Sequence, residues 1–114
     1  MEATPRELAL AYLDIFCDGT ELERLRDLFA PDLRFSGPFV EFDSAGAYIE
    51  SLLHNPPQDC RADILHVFEQ ENRVNLIYRF SRPGLSTLMS QVFEVRGGRI
   101  TRIILIFDTG PFRA

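Results

Sequence analysis

Between Ile64 and Phe107 the chain carries four runs rich in β-branched and aromatic residues: Ile64–Phe68, Val74–Phe80, Leu88–Val95 and Ile100–Phe107. Residues of this kind suit a pleated, half-buried surface. The separators are short. Glu71-Asn72-Arg73 and Gly97-Gly98 fit tight turns, and Arg82-Pro83-Gly84 fits a looser one. A parallel return would need a crossover of about a dozen residues or more, so consecutive strands here must run antiparallel. The first half of the chain is then left to cover one face of that sheet.

The first half reads as helix. In Thr4-Pro5-Arg6-Glu7 the Thr can cap, Pro suits a first turn where its missing N–H costs nothing, and Glu7 can complete a capping box. Leu8, Ala11, Tyr12, Ile15 and Phe16 recur at helical spacing up to Gly19. A second helix is expected from Thr20-Glu21-Leu22-Glu23, burying Leu22, Leu25, Leu28 and Phe29, with Pro31 as its stop. Residues 33–42, around Gly37-Pro38, predict a short bent strand pair. Ser44 opens a third helix through Ala47, Tyr48, Ile49, Leu52 and Leu53, which Pro56-Pro57 ends. The expected class is α+β, with N-terminal helices on one face of a curved antiparallel sheet.

At 114 residues, with 46% apolar and 25% charged, the chain can bury one core but not two. Its formal charge is −5, and all of its cationic side chains are Arg, scattered along the sequence. That pattern argues against a nucleic-acid partner, which needs clustered cations. The locally dense Arg96, Arg99 and Arg102 read as a solvated rim. Cys17 and Cys60 stand in no metal or redox spacing, and Cys17 reads as a small hydrophobe. The stretch Met1–Glu7 lacks the basic start and long apolar run of a secretory leader, and no stretch reaches membrane-span length. A cytoplasmic setting without metal or cofactor is expected. Most of the ten Phe residues should be core.

Three local stretches carry a resemblance: Tyr12 through Gly19, Leu28-Phe29-Ala30-Pro31-Asp32, and Phe93-Glu94-Val95-Arg96-Gly97-Gly98-Arg99-Ile100. With the order of helices then sheet, the chain resembles the nuclear transport factor 2-like superfamily. Its SnoaL-like branch is nearest, alongside ketosteroid isomerases, limonene-epoxide hydrolases and polyketide cyclases. The resemblance implies a single SnoaL-like domain over 1–114, built as a cone-shaped α+β barrel. It specifies architecture better than chemistry.

For isomerase chemistry the resemblance implies a carboxylate base and an oxyanion hole of Tyr and protonated Asp. Tyr12 falls at the hole's Tyr. The base position falls at or next to Gly37, and the second hole residue near Gln91, so nothing there ionises. For epoxide hydrolysis the water-activating Asp would fall at Leu105, and the Arg with its partner Asp near Leu76 and Tyr78. Those side chains cannot do that work. The cyclases use an inward carboxylate that this sheet is not expected to offer.

Strand parity extends that expectation. If Leu105 faces inward, so do Ile103 and Phe107, and Gln91, Phe93 and Val95 share an inward face. A mostly apolar ligand pocket follows, made of Tyr12, Gln91, Tyr78, Phe35, Phe39, Phe93, Leu105 and Phe107. Those Phe side chains are equally able to fill it. Tyr12 reads either as a pocket donor or as a core Tyr bonded to a carbonyl. Gln91 reads as facing a wet cavity, because an unpaired buried amide is costly.

His66 and Asp108 are the candidate catalytic bases. The simpler readings are a hydrogen-bonded core or interface His66, and an Asp108 that caps a turn unless a β-bulge swings it inward. His54 reads as a solvated helix-end residue. Ile77, Ile104 and Ile106 on the outer face suggest a homodimer through the sheet. The expected function is holding a small apolar or aromatic ligand. One alternative is an isomerase, cyclase or hydrolase using Asp108 or His66 as base. The other is a homodimeric assembly module with a filled cavity.

Overall fold

The computed structural model describes residues 3–113; Met1, Glu2 and Ala114 lie outside the described residues, and with them the start of the Met1–Glu7 stretch. Helix α1 spans Pro5–Asp18. Its start is the expected capping box: the Thr4 hydroxyl accepts from the Glu7 N–H at 3.1 Å, and Glu7 Oε1 accepts from the Thr4 N–H at 2.8 Å. Its end is Gly19, left-handed at φ 73°, whose N–H bonds the Ile15 carbonyl. A Cβ on Gly19 would collide with the Pro57 carbonyl oxygen, so both backbone angle and space require glycine there. That contact ties the end of α1 to the segment entering the main sheet.

The second helix is shorter than its spacing predicts. Leu22–Asp27 forms a 3-10 helix, and Phe29 already belongs to strand β1, Phe29–Ser36. Pro31 therefore lies inside a strand rather than ending a helix. Lacking an N–H, it cannot serve the ladder, and the pairing of β1 shifts register between Phe29 and Arg34, the stretch that contains it. Arg99 holds the junction by donating to the Arg26 and Phe29 carbonyls at 3.2 and 3.3 Å, so it is more than rim.

A turn closed by Gly37 N–H on the Val40 carbonyl leads into β2, Glu41–Phe42. Helix α2, Ala45–His54, is capped by the Ser44 hydroxyl and buries Ala45, Tyr48, Ile49 and Leu52. Strands β3 (Arg61–Gln70), β4 (Arg73–Arg82), β5 (Leu85–Arg96) and β6 (Arg99–Phe107) follow as an antiparallel meander. The sheet order is β2-β1-β6-β5-β4-β3. It is mixed, not antiparallel throughout, because β1 lies parallel to β6. Short turns fix the direction of consecutive strands only. β1 is separated from β6 by most of the chain, and turn logic does not reach it.

The curved sheet stays open as a cone-like α+β half-barrel, with α1 lying across the inner faces of β3 to β6. Val74, Leu76, Tyr78 and Phe80 of β4 face inward with Thr87, Met89, Gln91, Phe93 and Val95 of β5. Leu105 pairs with Gln91 and Phe107 with Met89, giving the expected inward parity at the end of β6. The core sits between this face and the helices. No helix among the described residues is long and apolar enough to cross a membrane.

Candidate functional site

Where α1 crosses β4, β5 and β6 the packing leaves a cavity of about 440 Å³. Its deep end is polar and its walls are apolar. Tyr12 comes from α1, Tyr78 from β4 and Gln91 from β5, each buried. Leu13, Met89 and Leu105 line the middle. Phe39, Phe107 and Phe112 meet edge-on or tilted at the open end, with centroids 4.9–5.8 Å apart. Phe39 is 55% exposed, whereas Gln91 is 1% exposed, which fixes mouth and floor.

The floor carries two buried hydrogen-bonded pairs. The Tyr78 hydroxyl donates to Gln91 Oε1 at 2.8 Å. The Tyr12 and Tyr48 hydroxyls lie 2.5 Å apart. Burial pushes the Tyr12 phenol well above its ordinary value; neighbouring Tyr48 adds to the shift and Gln91 opposes it. Burial likewise raises Tyr48, against the bond from Tyr12. Tyr78 is raised by burial and then by Tyr12. All three phenols stay protonated at neutral pH. They can donate and accept hydrogen bonds but cannot serve as bases.

Among the described residues no fully buried side-chain polar atom lacks a hydrogen-bond partner. Among the described residues no Asp or Glu lines the cavity. Nor is there a cluster of three His, Cys, Asp or Glu side chains able to hold a metal among the described residues.

Of the residues expected to line a pocket, Tyr12, Tyr78, Gln91, Phe39, Leu105 and Phe107 come together around this cavity. Phe35 and Phe93 do not. Phe35 stacks on Tyr48 at 4.5 Å and Phe93 meets the Tyr12 ring edge-on at 5.5 Å, both within the packed core behind the floor. Phe side chains therefore flank the cavity without filling it. Tyr12 resolves its two readings by combining them: it lines the cavity, and its hydroxyl is held by side chains, not by a carbonyl.

The two candidate bases lie elsewhere. Asp108 is exposed, and its carboxylate accepts from the Gly110 N–H at 2.9 Å. It is a turn cap. The irregularity in β6 falls between its pairings with Glu94 and Val95, too early in the strand to redirect Asp108. His66 is neither core nor near the cavity. It sits exposed on edge strand β3, stacked on Phe68 with centroids 5.9 Å apart, because a bulge between Ile64 and His66 turns it to the outer face. His54 is exposed at the end of α2 and bonds the Glu50 carbonyl, the role its position predicts.

Sequence reasoning does not place Leu13, Phe16, Cys17, Phe80 or Met89 on the cavity wall, and it misses further participants. Tyr48 was placed only on a buried helix face, yet its hydroxyl completes the floor. Arg82 and Phe112 belong to the mouth. Cys60 packs on Cys17 across 43 residues of chain, its thiol 3.7 Å from the Cys17 carbonyl oxygen. The Cys17 thiol is pushed up by its bond with Cys60 and by burial, while that same bond lowers Cys60. A phenol on an apolar helix stripe was the only available signal, and it pointed to Tyr48.

The chain belongs to the SnoaL-like domain family, whose sequence profile matches residues 9–103. No curated protein matches it. Solved structures show the nuclear transport factor 2-like fold. An NTF2-like protein of unknown function from Cytophaga hutchinsonii is 20% identical, with a TM-score of 0.85 over 100% of this chain and 98% of its own. An LEH-like epoxide hydrolase from M. tuberculosis is 17% identical, with a TM-score of 0.79 over 92% of this chain and 83% of its own. A candidate ketosteroid isomerase from Kribbella flavida is 18% identical, with a TM-score of 0.78 over 91% and 77%. At these identities the likeness is one of fold.

Proposed function

We propose that this SnoaL-like chain holds a small apolar or aromatic ligand in the cavity between α1 and the sheet, its polar end against Tyr12, Gln91 and Tyr78. The carrying observation is the lining itself. About 440 Å³ of mostly apolar space ends in a buried amide and two protonated phenols, with no carboxylate on the wall among the described residues. Such a site fits the general form of small-molecule pockets, apolar with a few convergent polar groups. General acid–base turnover would need a group that ionises near neutral pH within reach of the substrate. Asp108 and His66 sit outside the cavity, so the geometry favours holding over conversion.

We infer further that the protein acts as a cytoplasmic homodimer joined through the outer face of the sheet. Ile106 is 60% and Phe68 58% exposed there, with Ile77, Val92 and Ile104 half-buried between them. Val92 pairs with Ile104 in register, with Ile77 and Ile106 in the neighbouring row, while Asn75 separates Phe68 from Val92 and Ser90 separates Ile77 from Ile106. Such a surface is costly to leave in water.

The test of the pocket is a thermal-shift screen against a broad panel of uncharged aromatic and alicyclic compounds. A ligand at roughly 100 times its Kd adds about 2.7 kcal/mol, or roughly 10 °C in Tm for a domain of this size. Leu105→Trp, which fills the middle of the cavity, should cancel the rise. If no compound shifts Tm, or if Leu105→Trp leaves the shifts intact, the reading fails.

A further inference from the structure

Arg82 is the one charged side chain among the residues lining the cavity. It ends β4 at the mouth, with its guanidinium carbon 5.4 Å from the centroid of the Phe112 ring. The same side chain also borders an adjoining hollow with Phe16, Phe80 and Cys60, so it stands where the cavity opens toward solvent. In a chain of net charge −5, carboxylates are plentiful enough to pair a cation. Five Arg–carboxylate ion pairs form among the described residues, using Arg6, Arg24, Arg26, Arg61 and Arg73, and none of them engages Arg82. Its positive charge is left to the mouth of an apolar space, steadied by an aromatic face.

We propose that the ligand is amphipathic and anionic: an aromatic or aliphatic monocarboxylate whose acid head is read by Arg82 and whose apolar body lies along Met89, Leu105 and Phe107. This rests on the ligand-holding reading and adds the ligand's charge and direction. The length of the cavity imposes the direction. A carboxylate driven to the floor would lose its water next to phenols and an amide already bonded to one another, whereas at the mouth it meets a guanidinium and keeps part of its hydration. An acid head at Arg82 leaves the uncharged end of the ligand facing Tyr78 and Gln91. Guanidinium stacked on a ring keeps its in-plane N–H donors free for a carboxylate.

The probes are 2-naphthoate and 2-naphthamide, which share one shape and differ in charge, titrated by naphthalene fluorescence and calorimetry at pH 7. Arg82 is exposed, so the expected result is a naphthoate preference of about threefold to fivefold, the upper scale of an exposed ion pair. In Arg82→Gln the ratio of the two affinities should fall to near one. In Arg82→Lys, which keeps the charge but loses the fork, part of the ratio should survive. Added salt should shrink the preference in the wild type and in Arg82→Lys but not in Arg82→Gln. Equal binding of the two probes to the wild type, or a preference that persists in Arg82→Gln, overturns the anion assignment and leaves the pocket standing. Binding of neither probe, together with a silent thermal-shift screen, removes the pocket and this inference with it.

Discussion

The hydroxyl of Tyr12 on α1 meets the hydroxyl of Tyr48 on α2 at 2.5 Å, and this contact joins the two helices directly behind the cavity floor. Phe29, Phe35 and Phe42 all pack on the Tyr48 ring, at 5.9, 4.5 and 5.3 Å between centroids. Tyr48 is therefore fixed by strands β1 and β2, and it in turn positions Tyr12. The floor's outer residue is held by an aromatic cluster that no ligand touches.

Removing either hydroxyl strands the other in a buried site. Tyr12→Phe or Tyr48→Phe should each destabilise the fold by about 1–2 kcal/mol, because the remaining phenol loses its partner while staying desolvated. The double variant should cost less than the sum, with a coupling of about 1 kcal/mol in a double-mutant cycle. Urea unfolding of the four proteins measures this. Strict additivity would show that the two hydroxyls do not depend on each other.

Tyr12, Tyr48 and Tyr78 are the only tyrosines in the chain, and burial raises all three above the ordinary phenol value of 10.0. The unfolded chain would release these protons as pH passes that value, while the folded chain keeps them. Above it the unfolded state binds fewer protons, so stability falls as pH rises. The contribution is fully present below pH 10 and drains away above it. Absorbance at 295 nm should stay flat through pH 10 in the native protein and rise only together with loss of far-ultraviolet dichroism. A phenolate signal with ordinary midpoint in a folded protein would contradict the buried floor.

The outer face gives a separate prediction. Ile106→Glu introduces a charge at an exposed position of the outer face that does not line the cavity. If that face joins two copies, the substitution should convert a dimer into a monomer in sedimentation velocity with little change in far-ultraviolet dichroism. A wild-type monomer would remove the dimer reading, and a dimer indifferent to the change would place the association elsewhere.

Much of this arrangement was legible in the residues. The capping box, the left-handed Gly19, the meander and its inward parity at Gln91 and Leu105 all follow from local chemistry, which the fold obeys. Two readings went astray for local reasons as well. Leu28 and Phe29 continue a helical spacing, but β1 offered them the edge of β6 and sheet pairing won. His66 looked central among Leu65, Val67 and Phe68, yet an edge strand has no neighbour on one side and a bulge exposes it.

The sequence by itself determined the elements, their faces and the absence of an ionised acid from the inner strands, since backbone period and side-chain type act over a few residues. Only the tertiary structure decided that Tyr48 would meet Tyr12, that Cys60 would reach Cys17, and that β1 would run parallel beside β6. It also decided that Arg82 would stand beside Phe112 at the cavity mouth. Those are contacts between segments distant in the chain, selected by how α1 and α2 pack on a curved sheet, and no spacing along the sequence encodes them.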